Sequence, residues 1–286
     1  MLELSADGFT IALVLLSAFL HASWNALTKA GGDPLISVTV ISVVGALIGL
    51  PLMIWFPLPG PDSWPWLVAS AVLHYVYQLA LVRTYQLGDL SQVYPIARGL
   101  APLGVACLAV VGVGESLAPV QWLGLALASA AIISLGHARS RSRSAGPAVA
   151  MAVLTAVLIG AYTFTDGVVV RSVERPEQII GWTFFLACVP LAVTTLVLRR
   201  SEGWTALRPV GLQAVVGGLM ATIGYAIAMW ALARAPMASV ASLRESSVLF
   251  AAFFGTRLLG EPLGRQRVLS AFFLVVGLVL IQIRWS

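Results

Sequence analysis

The strongest constraint on this chain is a succession of ten apolar runs, each about long enough to cross a bilayer core of about 30 Å as a helix. They extend from Phe9 to Ala30, Pro34 to Phe56, Trp64 to Leu87, Leu90 to Val113, Pro119 to His137, Pro147 to Val170, Pro176 to Leu198, Leu207 to Ala233, Met237 to Leu259, and Arg267 to Ile283. The spacers hold only a few residues, so no extramembrane domain has room to fold. None of the runs alternates as a barrel strand does, and backbone groups in hydrocarbon must be satisfied within their own segment, which leaves helices. The expected fold class is therefore an all-α integral membrane protein of ten transmembrane helices. Composition agrees: with 59% of its 286 residues apolar and 10% charged, the chain has too little polar surface to coat a soluble globule. The N-terminus lacks the basic cluster of a cleaved signal, so the first run is expected to stay as a span.

The 17 basic residues, all but one of them Arg, and the 12 acidic ones are scattered through short spacers, which argues against nucleic acid as a partner. Leaving out Arg98 and Arg244, eleven Lys and Arg, including Arg139, Arg141, Arg143, Arg199 and Arg200, fall in the odd-numbered connections and four on the other side. The positive-inside rule places the eleven in the cytoplasm and both termini outside. Cys107 and Cys188 lie alone in apolar runs, without the spacing of a disulfide framework or a zinc site, and no cofactor is expected. Trp55, Trp64, Trp66, Trp204 and Trp285 fall at run ends, where indole rings anchor in the headgroup zone. Gly45 with Gly49, and Gly124 with Ala128, have the small-residue spacing that lets helix backbones approach, within one chain or between two.

Sliding the chain by 146 residues lays Arg98 on Arg244, Leu103 on Leu249, Gly114-Glu115 on Gly260-Glu261 and Leu117 on Leu263. Runs four and five thus echo runs nine and ten. Runs one and six match more loosely, at an offset nearer 138 that pairs Trp24 with Tyr162. The implied units are residues 1–138 and 147–286, joined by an Arg/Ser linker at 139–146. Five helices is an odd number, so the second unit must enter the membrane from the opposite side, giving an inverted repeat.

Three segments carry a family resemblance: A-S-W-N-A-L-T-K from Ala22 to Lys29, G-E-S-L and G-E-P-L before runs five and ten, and G-D-L-S-Q-V-Y-P-I-A-R-G-L-A-P around run four. The chain resembles the drug/metabolite transporter superfamily, and within it the ten-helix proteins with two EamA units, over essentially its whole length. The likeness is greatest to bacterial amino-acid exporters of the YddG type and weaker to members associated with phosphonate use. It implies an inner-membrane, alternating-access transporter with both termini in the cytoplasm, opposite to the charge count. Where those exporters tend to carry aromatics, this chain has Arg98 and Arg244.

Ionisable groups inside spans are expensive and mark sites. Arg98 and Arg244 lie about 12 and 10 Å along their runs at 1.5 Å per residue. Because the halves are inverted, they approach the midplane from opposite faces. Together they form a fork for a carboxylate or phosphonate, or else each belongs to a structural ion pair with Asp166 or Glu245. His21, Trp24 and Asn25 share one face of the first run, and His74, Tyr77 and Gln78 one face of the third. Tyr94, Tyr162 and Tyr225 add aromatic rings to the same set. Such stripes either line a central cavity or hydrogen-bond between helices. On the cavity reading the arginines hold a substrate carboxylate, Asp166 or Glu245 an ammonium, and Tyr94, Tyr162, Trp24 and Tyr225 the side chain. Any proton coupling falls to Asp166, Glu245, His21 or His74. Pro95 and Pro102 bracket Arg98 and are expected to bend run four, run nine having no such prolines. Glu115 and Glu261 are expected to stabilise helix starts. No H-E-x-x-H or nucleophile–base set supports an enzyme. The expected partners are a small-molecule substrate and the lipid bilayer, and two fused halves make a monomer sufficient.

Overall fold

A computed structural model describes residues 2–4, 6–28, 33–87, 90–137, 145–200, 212–258 and 265–285. Lys29, Trp204, the Arg139–Ser144 stretch and the segment containing Glu261 lie outside them, as does the side chain of Trp285. The helices are α1 (Gly8–Thr28), α2 (Pro34–Trp55), α3 (Trp64–Leu87), α4 (Leu90–Val113), α5 (Pro119–His137), α6 (Ala145–Arg171), α7 (Glu177–Leu198), α8 (Leu212–Leu232), α9 (Met237–Arg244), α10 (Ser247–Leu258) and α11 (Arg265–Gln282). Seven of them, α1 to α4 and α6 to α8, are each long and apolar enough to cross a bilayer, while α5 and α11 are shorter apolar helices. The ninth span is shared by α9 and α10, so eleven helices make ten spans.

Hydrophobic length sets where each helix lies, and polar or proline residues set where it starts. Asp33 caps α2 by accepting a hydrogen bond from the Leu35 N–H at 2.8 Å, and its carboxylate also pairs with Arg199 beyond the end of α7. Pro34 takes the first helical position, where its missing N–H costs nothing. Apolar side chains such as Leu47, Ile54, Val111 and Phe272 point outward, as lipid requires of a belt that water would not tolerate.

The packing follows the repeat. Exchanging each span with the one five places on maps the main contacts onto one another. α2 packs on α7 and α5 on α11, each pair joining equivalent helices, while α1 against α8 matches α6 against α3. At both self-matched contacts glycines let the backbones touch. A Cβ on Gly49 would stand 2.8 Å from the Gly181 carbonyl oxygen, and one on Gly277 would stand 2.6 Å from that of Gly124. The small-residue spacings are thus used within the chain. Hydroxyls add cross-links: Thr39 to Thr195 at 2.7 Å, Thr84 to Thr155 at 3.0 Å and Ser134 to Ser270 at 2.8 Å. Such bonds are worth roughly a kcal/mol each in membranes, so shape complementarity at the glycines carries more of the specificity.

α4 is one continuous helix through Pro95 and Pro102, whereas the ninth span, which has no proline and was expected to be one helix, breaks at Glu245 and Ser246. There the ladder tightens to i−3 bonds, with Glu245 N–H donating to the Ser242 carbonyl, Ser246 to Leu243 and Val248 to Glu245, at 2.9 to 3.0 Å. Arg244 ends α9, where the helix dipole favours a cation, and Glu245 precedes α10, where it favours an anion. The charge order of the sequence therefore suits a break that composition does not announce. Trp64 also departs from the anchor expectation: it turns inward onto Trp182, with ring centroids 5.0 Å apart, while Trp55 and Trp66 remain exposed.

Short strands β1 (Leu2–Leu4) and β2 (Ile283–Trp285) pair antiparallel, Glu3 opposite Arg284, and hold both termini at one end of the bundle. An even number of spans requires this. Because the Gly124–Gly277 contact has no room for a side chain, Gly277→Val is expected to cost about 1–3 kcal/mol, measured as a lower melting temperature in detergent. Gly60→Ala, whose Cβ meets nothing within 4 Å, should melt with the native protein.

Candidate functional site

Between the two halves lies a cavity of about 140 Å³, opening among α1, α2, α3, α6, α7, α8 and the end of α9. Eight sequence candidates reach its wall: His21, Trp24, His74, Tyr77, Gln78, Tyr162, Tyr225 and Arg244. Asn25, Tyr94 and Arg98 line a narrower adjoining cleft of about 20 Å³, which shares His21, Trp24 and Tyr77 with the cavity. Asp166 and Glu245 line neither. Helical spacing explains the grouping, since residues three and four apart on α1 and α3 share a face, and the inverted packing turns those two faces toward each other.

The two arginines have different surroundings. Arg98 donates from Nε to Glu245 Oε2 at 3.1 Å, and its Nη2 lies 2.8 Å from Oε1, so the pair is forked and buried. This is the structural ion pair, with Glu245 and not Asp166 as partner. Arg244, only 6% exposed, makes no ion pair among the described residues and leaves Nε without a hydrogen-bond acceptor. Its guanidinium carbon sits 5.0 Å from the Tyr225 ring centroid, a cation–π contact. The sequence repeat that aligns the two arginines therefore yields one neutralised cation and one free one facing the cavity.

Asp166 is fully buried behind that wall. It accepts hydrogen bonds from the Ser70 hydroxyl and, at 2.5 Å, from Tyr225 Oη, and its Oδ2 lies 2.9 Å from His74 Nε2. The His74 ring stacks on Tyr162 at 4.2 Å and meets Tyr225 edge-on at 5.6 Å. An aromatic surface and a carboxylate thus hold the imidazole in place. Across the cavity, Trp24 Nε1 donates to His21 Nδ1 at 3.3 Å. Gln78 donates to the Ser42 hydroxyl at 3.0 Å, while its Oε1 is buried without a donor. With both carboxylates engaged, the wall offers the Arg244 guanidinium, the Gln78 amide oxygen, the Thr183 hydroxyl and several aromatic faces. An ammonium contact at Glu245 would have to displace Arg98.

The sequence reading missed Ser42, Ser70, Thr183, Phe184 and Thr222. Ser70 lies one turn before His74, so the α3 stripe reached it. The others are hydroxyls and a phenyl ring in apolar runs, which carry no cost in lipid and hence no signal. Glu115 does stabilise a helix start, but of a different helix from the one next to it in sequence. Both its oxygens accept from the Met237 N–H, at 2.9 and 3.0 Å, capping α9 in the other half. Arg171 pairs with Glu115 at 2.9 Å and also donates to the Leu232 and Ala235 carbonyls beyond the end of α8.

The cavity thus lies between the two halves of the repeat, lined by helices of both. The EamA-like transporter family model matches residues 8–136 and 146–283. The chain belongs to that family, whose members are multi-pass membrane transporters of small molecules. No curated protein matches it. A solved structure described only as a crystal structure of a protein superposes with a TM-score of 0.75 at 16% identity, covering 96% of each chain, and so shares the fold.

The Arg98–Glu245 pair can be tested by stability. Glu245→Gln leaves a buried cation unmatched and is expected to cost about 3–5 kcal/mol, while replacing both residues with Met should recover most of it. Thermal unfolding of the native protein and the two variants in detergent measures this, and equal melting temperatures would show the pair to be dispensable.

Proposed function

We propose that this protein exports amino acids across a bacterial inner membrane by alternating access, as a monomer. The observation that carries the reading is the guanidinium of Arg244, without an ion-pair partner among the described residues, on a cavity wall of aromatic, imidazole, hydroxyl, amide and small apolar groups. A carboxylate meets Arg244 in a charge-assisted bond. The ammonium meets Gln78 Oε1, the acceptor left open on the same wall, and the side chain lies against Trp24, Tyr77, Tyr162 and Tyr225. The direction and the membrane follow the likeness to the amino-acid exporters. The inverted halves support a rocking motion about the cavity, because each state of one half is matched by the mirror state of the other. One chain supplies both halves of the site. A second reading, transport of phosphonates or other small anions, is favoured by one feature: among the described residues no carboxylate stands on the cavity wall.

Proteoliposomes offered a panel of radiolabelled amino acids test the proposal. Saturable uptake is expected, falling by about 10- to 100-fold in Arg244→Leu, the worth of a hydrogen bond to a charged group, with insertion and folding intact. Uptake unchanged in that variant would remove Arg244 from the site. No uptake of any amino acid by folded protein would give the substrate to the anion reading.

A further inference from the structure

We infer that a small monoanion bound at Arg244 moves together with one proton carried by the Ser70–His74–Asp166–Tyr225 cluster, while a zwitterion moves without one. The inference rests on the reading that Arg244 holds the anionic end of the substrate.

The argument is a charge count in a site where charge is expensive. Arg98 and Glu245 cancel as a forked pair. Arg244 and Asp166 cancel at longer range, through Tyr225, which donates to Asp166 at 2.5 Å and stacks under Arg244. With His74 neutral, the empty site has no net charge. A zwitterion keeps it so. A monoanion leaves one uncompensated negative charge, and a midplane cavity holds such a charge only at a cost of several kcal/mol. One proton on the cluster removes that cost.

The cluster is built to hold it. Asp166 has no solvent exposure and, among the described residues, no arginine or lysine within ion-pair distance; its partners there are two hydroxyls and an imidazole. His74 stands between Asp166 and the cavity, its side chain 11% exposed, with its ring fixed between Tyr162 and Tyr225. His74 offers a proton from cavity water a direct route to Asp166, and the proton stays on the imidazole or passes to the carboxylate. The charged and titratable groups around the cluster are Tyr77 on α3, Tyr162 on α6, Tyr225 on α8, Arg98 on α4, and Arg244 and Glu245 on the ninth span; from Gln178 to Leu198, α7 has no charged residue. Protonation of the cluster and anion binding then favour each other, as linkage requires, and the proton leaves with the anion on the far side.

Proteoliposomes loaded with a pH-sensitive dye test this with L-glutamate as the anion and L-leucine as the zwitterion. L-glutamate uptake is expected to acidify the lumen by about one proton per molecule and to speed up several-fold when the outside is the more acidic, with L-leucine moving no protons. Asp166→Asn and His74→Gln should each abolish the acidification. L-glutamate uptake without acidification, or acidification that survives both variants, overturns the inference. If neither amino acid is taken up, the substrate reading fails, and the cluster is judged separately by nitrogen NMR of the histidines in ligand-free protein. The His74 ring-nitrogen resonances, identified by their loss in His74→Gln, should move in Asp166→Asn, as the 2.9 Å contact between the two side chains requires. Unmoved resonances overturn the inference there too.

Discussion

A charge held within hydrocarbon must be answered by the protein itself, because neither water nor salt reaches it. The interior of this bundle is organised around that requirement. Four ionised or ionisable residues near the midplane, Arg98, Asp166, Arg244 and Glu245, are each at least nine-tenths buried. Three are answered by hydrogen bonds or an ion pair, and the fourth faces the cavity. A ligand that brings a negative group therefore completes an electrostatic arrangement the fold leaves open.

The framework that allows this is rigid where the repeat matches itself and looser where it does not. At α2 against α7 and α5 against α11 the backbones touch through glycines and leave nothing to rearrange without separating the helices. The Glu115 and Arg171 contacts tie the beginning of α9 to the ends of α4, α6 and α8, so a displacement of α9 is transmitted across both halves.

The spans were legible because hydrocarbon thickness imposes a length and lipid forbids exposed backbone; helix limits fall within a few residues of the hydrophobic runs. The inverted repeat was legible from Gly-Glu and Arg positions that survived divergence. Which carboxylate answers Arg98 was not legible. Asp166 and Glu245 lie at comparable depth, and the choice depends on the rotation of α6 and the ninth span about their axes, which sequence spacing within one helix cannot fix. The same limit hid the partners of Asp166, brought from α3 and α8. The break in the ninth span was not legible because proline is the sequence signal for an interrupted helix, and Glu245-Ser246-Ser247 contains none.

That break accounts for the unequal treatment of two arginines the repeat makes equivalent. Arg98 lies in the middle of continuous α4, away from the helix C-terminus where the dipole would favour a cation, so its charge needs a separate anion and takes Glu245. Arg244 is the last residue of α9, where the helix dipole and incompletely used carbonyls already favour a cation. It can therefore remain without a carboxylate while the site is empty. Glu245 in turn reaches Arg98 from the turn between α9 and α10, outside either regular helix. Interrupting one helix of the repeat and not its partner thus turns a symmetric pair of arginines into one structural cation and one that faces the ligand.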